Sequence, residues 1–197
     1  MKKGFEILFT GLDGSGKTTL LNLVKEYLEV KGKKVVIIKA VPLGKNWDKF
    51  DNSILDTSIP EVKFMLHLTQ HLDIYHNQTR PAINKGKIVL RDRGIVDLFV
   101  YNSLFKLREF GGLLNHINDD FIEGFDIPRL IFYMETKLSI IKKRLEERGE
   151  KVNVRELSKV KRLFEEVYLD MVVVNSNRSI EEMFEVAKNA LKMEGIC

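Results

Sequence analysis

With 197 residues, 44% hydrophobic and 30% charged, the chain is long enough to bury one sizeable core and has an ordinary globular composition. Its net charge of +4, from 32 basic against 28 acidic residues, suits a small polyanionic substrate, and there is no basic run with interleaved aromatics of the kind that binds single-stranded nucleic acid. The one cysteine, Cys197, excludes an internal disulfide, no apolar stretch reaches the length of a membrane span, and Met1-Lys2-Lys3 leads into a strand without a signal-type core, so a cytoplasmic location is expected.

In chain order, Glu6–Thr10 reads as the first strand and is followed by Gly11-Leu12-Asp13-Gly14-Ser15-Gly16-Lys17-Thr18-Thr19. This is Gly-x4-Gly-Lys-Thr, a nucleoside-triphosphate cradle, in the strand-then-helix setting that such a loop needs. Gly11, Gly14 and Gly16 let the backbone wrap closely and turn its N–H groups toward phosphate oxygens. Lys17 is expected at the β- and γ-phosphates of ATP, and Thr18 at a magnesium ion. A Gly-rich turn that merely opens a helix would not require Lys-Thr.

A helix is expected from Lys17, with Leu20, Leu21, Val24 and Leu28 on one side, closing at Gly32. Val35–Lys39 is the second strand. Ser58 with Glu61 has capping-box spacing and opens a helix through Phe64, Leu68 and Leu72 that should break near Pro81. Lys87–Leu90 is the third strand, and it runs into Arg91-Asp92-Arg93. The stretch Ile95–Leu107 is apolar nearly all round, as in a helix buried in the core or in a dimer interface.

Arg129–Met134 and Met171–Val174 are the fourth and fifth strands, and Ser179 with Glu182 caps a final helix. Lys142–Arg155 is densely charged around Gly149. A solvated helix end is the plain reading of such a run, whereas a phosphoryl-transfer enzyme uses an Arg-bearing flap there. The alternation of strands and helices, without repeats or linkers, predicts a single α/β domain over 1–197. The expected fold is α/β, a five-stranded parallel sheet flanked by helices behind a P-loop, with a short Arg-rich lid at about 142–155. In a phosphoryl-transfer enzyme that would be a P-loop kinase fold.

Asp92 ends a strand beside the cradle, where an acid can orient magnesium or its waters. Arg93 offers five fixed donors to phosphate oxygens. An isolated Asp-Arg is more simply a strand-end salt bridge; its position at the end of the third strand shifts the reading toward chemistry.

At this point the sequence resembles the thymidylate kinase family of nucleoside monophosphate kinases. The family cradle carries an acid where Asp13 stands. Its second motif, Asp-Arg-Tyr, two residues, Ser, two residues, Ala-Tyr-Gln, is matched in spacing by Asp92-Arg93-Gly94, Asp97 and Val100-Tyr101-Asn102. The run Arg80–Leu90, Pro42, the neighbourhood of Lys45 and the closing stretch Val172–Glu185 are similar as well, so the likeness spans essentially the whole chain.

The resemblance implies transfer of the ATP γ-phosphoryl group to a nucleoside monophosphate, dTMP first, with magnesium as cofactor and a homodimer as assembly. It implies that Asp13 contacts the acceptor sugar or holds the catalytic arginine, and that Arg93 grips the acceptor phosphate. Asp92 would orient magnesium through water, and Arg144 and Arg148 would be flap arginines. Phe64, Gln70, His71, Asp97, Tyr101 and Asn102 would line the acceptor.

The chain departs from the family pattern at Gly94 (Tyr), Asp97 (Ser) and Val41-Pro42-Leu43-Gly44 (Glu-Pro-Gly-Gly type). It also has His71 where the family places an arginine that reads the thymine carbonyl. His67, His71 and His76 read equally as polar positions of an amphipathic helix. A kinase for a different nucleoside or nucleotide, an inactive homologue and a P-loop switch without acceptor phosphorylation are the rival readings. The chain has no Asn/Thr-Lys-x-Asp guanine-reading motif to support the switch.

Overall fold

The five strand runs lie side by side in one sheet because several of them are apolar on both faces and can only be covered from both sides. The computed structural model describes residues 3–39, 60–103, 128–166 and 170–197. The strands are β1 (Phe5–Thr10), β2 (Val35–Lys39), β3 (Ile88–Asp92), β4 (Leu130–Glu135) and β5 (Val172–Asn175). They pair in parallel in the order β2-β3-β1-β4-β5, with Leu8 of β1 opposite Arg91 of β3 and Ile131 of β4. The expected α/β fold with five parallel strands is borne out, and each strand begins and ends within two residues of its expected bounds.

The helices are α1 (Lys17–Val30), α2 (Pro60–Ile74), α3 (Arg80–Asn84), α4 (Ile95–Ser103), α5 (Leu138–Glu146), α6 (Val154–Glu166) and α7 (Ile180–Met193). Helix α1 buries Leu20, Leu21, Val24 and Leu28, the stripe expected from the sequence, and closes where the Gly32 N–H bonds the Glu29 carbonyl. Helix α7 opens on a full capping box: Ser179 accepts from the Glu182 N–H and Glu182 accepts from the Ser179 N–H.

One expectation is corrected. The chain does not leave the helical path near Pro81; a single π-helical turn, Tyr75–Thr79, joins α2 to α3. The Arg80 N–H reaches back five residues to the Tyr75 carbonyl. The wider turn sets Pro81 in the first turn of α3, where its missing N–H has no intrahelical partner to lose.

The two faces of the sheet are covered differently. Toward α1 and α7, the core joins Ile7, Phe9, Leu90, Phe132, Met134 and Val174 to the apolar stripes of those helices. The opposite face holds two separate clusters, one around Leu8, Ile131, Val96 and Phe164, the other around Ile38, Ile74, Ile83 and Val89. Between them lies Arg91, which the register sets between Leu8 and Ile38. Helix α4 buries Val96 and Val100 in the first cluster, so the described part of that apolar stretch serves this chain's own core. Val41–Gly44, Lys45, Ser58 and Leu104–Leu107 lie outside the described residues.

Candidate active site

The site gathers at the C-terminal ends of β1 and β3, where parallel strands hand over to loops. Leu12 is buried in the Leu8 cluster and pins the cradle to the sheet, while Gly11, Gly14 and Gly16 take φ of 131°, 75° and 94°. These values lie in the region that side chains disfavour, so the loop shape depends on glycine. Lys17, 6% exposed, folds over its own loop and donates to the carbonyls of Gly11 (3.0 Å) and Leu12 (2.8 Å). Burial, with a smaller push from Arg93, lowers its pKa to about 8. Ser15 is fully buried, and its hydroxyl has no partner among the described residues. Thr19 lies on the exposed side of α1, at the rim of the pocket.

β3 supplies the second half. Thr18 Oγ1 donates to Asp92 Oδ2 at 3.3 Å, which joins the helix start to the strand end. Arg93 sits at φ 69°, a left-handed conformation rare for a side-chain-bearing residue, and its N–H bonds the Phe9 carbonyl at 3.0 Å. Its guanidinium reaches two carboxylates: Nη2 meets Asp13 at 2.5 Å and Nη1 meets Asp97 at 2.8 Å. The next residue, Gly94, stands where the resemblance places a tyrosine, and a Cβ there would lie 2.7 Å from a methyl of Leu8, so a side chain requires that methyl to shift.

Asp13 is largely exposed. Partial desolvation raises its carboxyl pKa, but the cations of Arg93 and Lys17 outweigh this and hold it below the usual value. Asp97 is only 3% exposed. Both its oxygens are engaged by the protein: Oδ1 by Arg93, Oδ2 by the Thr10 hydroxyl at 2.8 Å and the Gly94 N–H at 3.0 Å.

These groups surround a cavity of about 320 Å³ that brings together Asp13, Lys17, Thr18, Asp92, Arg93 and Arg148. Arg144 stands behind the cradle and donates from Nη1 to the carbonyl of Gly14, a residue of the cavity wall, at 2.9 Å. Lys39, at the end of β2, also lines the cavity. The sequence reading missed it, and its position as the strand neighbour of Asp92 was the only available signal.

Phe64 and Gln70 are buried on α2, and neither they nor His71 are among the described residues lining the cavity. Burial, reinforced by Arg91 and His67, lowers the His71 pKa to about 3, so it is a neutral imidazole at physiological pH. Tyr101 and Asn102 belong to α4, but their side chains lie outside the described residues. Arg91 also escaped the sequence reading. It is 3% exposed, with Nη1 on the Thr79 hydroxyl at 2.8 Å. Burial pulls its pKa down, against the opposing charges of Glu6 and Asp97.

A glycine cradle after the first strand, a lysine folded into it and an Asp-Arg pair ending a neighbouring strand define a P-loop nucleotide-binding protein of the α/β class. Residues 9–186 match the family model described as thymidylate kinase. The chain is 30% identical over 203 residues to the thymidylate kinase of Mesoplasma florum, covering 94% of this chain and 93% of that protein. It is 26% identical over 205 residues to the thymidylate kinase of a Sulfurihydrogenibium species, at 98% and 99% coverage, and 26% over 200 residues to that of Thermosipho africanus, at 94% and 96%. The chain belongs to the thymidylate kinase family, and the expectation of a nucleotide kinase is borne out. Among the described residues no helix is long and apolar enough to cross a membrane.

Proposed function

We propose that this protein transfers the γ-phosphoryl group of ATP to dTMP. The observation that carries the reading is the convergence of Lys17, Arg93 and Arg148 on one cavity, with Asp13 bonded to Arg93 between them. Phosphoryl transfer asks for little covalent work and much positioning, because charge spreads over the oxygens of a loose transition state. In this reading Gly11–Thr19 hold the triphosphate, with Lys17 exchanging its two loop carbonyls for phosphate oxygens. Arg93 holds the acceptor phosphate, which takes the place of Asp13 on one edge of the guanidinium. Arg148 and Arg144, from the charged turn at 142–155, neutralise the moving group. The neutral His71, with Phe64, Gln70, Tyr101 and Asn102, reads the acceptor.

Magnesium fits the donor set. Thr18 and Asp92 are hard oxygen ligands in mutual contact at the cavity, and no group of three or more acidic, His or Cys residues forms a dedicated metal cage among the described residues. That is the pattern of an ion that keeps its waters and is held mainly by phosphates. Thr18 and Asp92 would hold it, and it would supply charge neutralisation on the phosphates. A homodimer and a cytoplasmic location are carried by the family likeness and the single cysteine.

The test is ADP release from ATP and magnesium with each nucleoside and nucleoside monophosphate in turn. Strong stimulation by dTMP is expected. Stimulation by a different acceptor reassigns the substrate, and equal rates with and without every acceptor overturn the kinase reading.

A further inference from the structure

We infer that Asp97 is a positioning residue, a buried brace that aims Arg93 at the acceptor phosphate, and not a ligand of the acceptor itself. The inference rests on the proposed role of Arg93. A carboxylate that touches substrate needs a lone pair facing the cavity and some access to it. Asp97 is 3% exposed and does not line the cavity. Its two oxygens receive three donors, one from the end of β1 (Thr10) and two from the turn after β3 (Gly94 N–H and the guanidinium of Arg93). From the start of α4 it therefore ties the end of β1 to the turn that carries Arg93.

The need for a brace follows from the backbone. Arg93 holds φ 69°, a conformation that persists only where its surroundings fix it: the N–H on the Phe9 carbonyl holds the backbone, and Asp97 holds the guanidinium. Of its two carboxylate partners, Asp13 is 64% exposed and stands on the cradle, where an incoming phosphate competes for the same guanidinium edge. Asp97 holds the other terminal nitrogen, Nη1, at 2.8 Å, with the Gly11 carbonyl a longer second acceptor at 3.3 Å, so the grip on it survives when Asp13 is displaced. As the third residue of α4, Asp97 also satisfies the N–H that precedes the helix, which fixes the carboxylate at the helix start. A serine, which the resemblance places here, has no anion to offer and is too short to span to the guanidinium. In this chain the arginine is held by charge.

The experiment compares Asp97→Ser, which keeps a hydroxyl for the Gly94 N–H but removes the brace, with Asp97→Asn, which keeps an acceptor oxygen for Arg93 and loses the charge. Steady-state kinetics with ATP and dTMP should show the acceptor KM raised about tenfold or more in Asp97→Ser and by less in Asp97→Asn, with the ATP KM within about twofold in both. A parallel rise in both KM values, or an unchanged acceptor KM, overturns the brace. Asp97→Asn is nearly isosteric and carries the test if the serine variant does not fold. Independently of turnover, low-temperature proton–nitrogen spectra of the unliganded protein should show the Arg93 Nη–H protons in slow exchange in wild type and in Asp13→Ala but averaged in Asp97→Ser, and protons that stay in slow exchange in Asp97→Ser overturn the brace. If no acceptor stimulates the wild-type protein, the proposed function fails while this spectrum still decides the brace.

Discussion

The two faces of the sheet solve the same problem in opposite ways. Toward α1 and α7 the side chains form one continuous apolar cluster, with polar residues (Lys17, Lys39, Asp92) gathered at the C-terminal ends of the strands. Phe9 and Phe132 are both fully buried there, with ring centroids 5.2 Å apart. Toward α2 to α6 the apolar packing is split, and Glu6, Thr10, Gln70, Arg91 and Asp97 are buried among it. A buried charge costs free energy unless it is paired, so the second face gives up hydrophobic stabilisation that the first retains. What it gains is directional: each polar group there has partners that fix its position, and that face carries the arginine of the site. Stability and aim are assigned to different sides of one sheet.

The contrast can be broken from either side. Phe9→Ala should cost about 3–5 kcal/mol in urea unfolding, since it leaves a cavity in the continuous cluster of the first face. A loss below about 1 kcal/mol would show that this face does not carry the stability. Lys17→Met should do the reverse, lowering acceptor-dependent turnover by roughly a hundredfold or more while the unfolding midpoint moves little. Arg93→Ala should lower turnover as much but also destabilise, because it leaves the buried Asp97 carboxylate without its cation. Near-normal turnover in both would remove the site from this corner.

Arg91→Met should destabilise by about 1–3 kcal/mol, less than the phenylalanine change, because it strands the Thr79 hydroxyl and the neighbouring acids. A stabilised variant would mean that the polar face is a burden rather than a device. The smallest effect is on pH. Lys17 titrates near pH 8 in the unliganded protein, and bound phosphates raise that value, so binding takes up a proton above about pH 8. ATP affinity should fall as the pH rises through that window, by up to about tenfold per pH unit, as calorimetry in buffers of different ionisation enthalpy can read. Flat affinity to pH 9.5 would show that the amine stays protonated without ligand.

What the sequence revealed beforehand was whatever depends on neighbours in the chain. The cradle is nine consecutive residues whose spacing encodes its shape, and the capping box at Ser179 spans four. Strand limits were legible because apolar runs end where loop residues begin. Arg91 was not legible: in Val-Leu-Arg-Asp it reads as the polar end of a strand, and its burial depends on Thr79, Glu6 and Asp97 from other elements. The buried network of Asp97 was not legible for a related reason, since its partner Thr10 lies 87 residues away. Pro81 was read as a stop because sequence rules assume an α-helical register, and the π turn changes the register just before it.

The strand order also governs what happens while the chain is being made. Among the described strands β1 pairs only with β3 and β4, and β2 only with β3, so none of their pairings can form before residue 88 is made. At about 5–20 residues per second, the ribosome holds out two apolar strands without partners for several seconds. Emergence of the third strand seats both at once, one on each of its edges. A stall before residue 88 leaves two sticky segments in the open, whereas a stall after residue 92 has cleared the exit tunnel leaves a three-stranded sheet awaiting only its outer half.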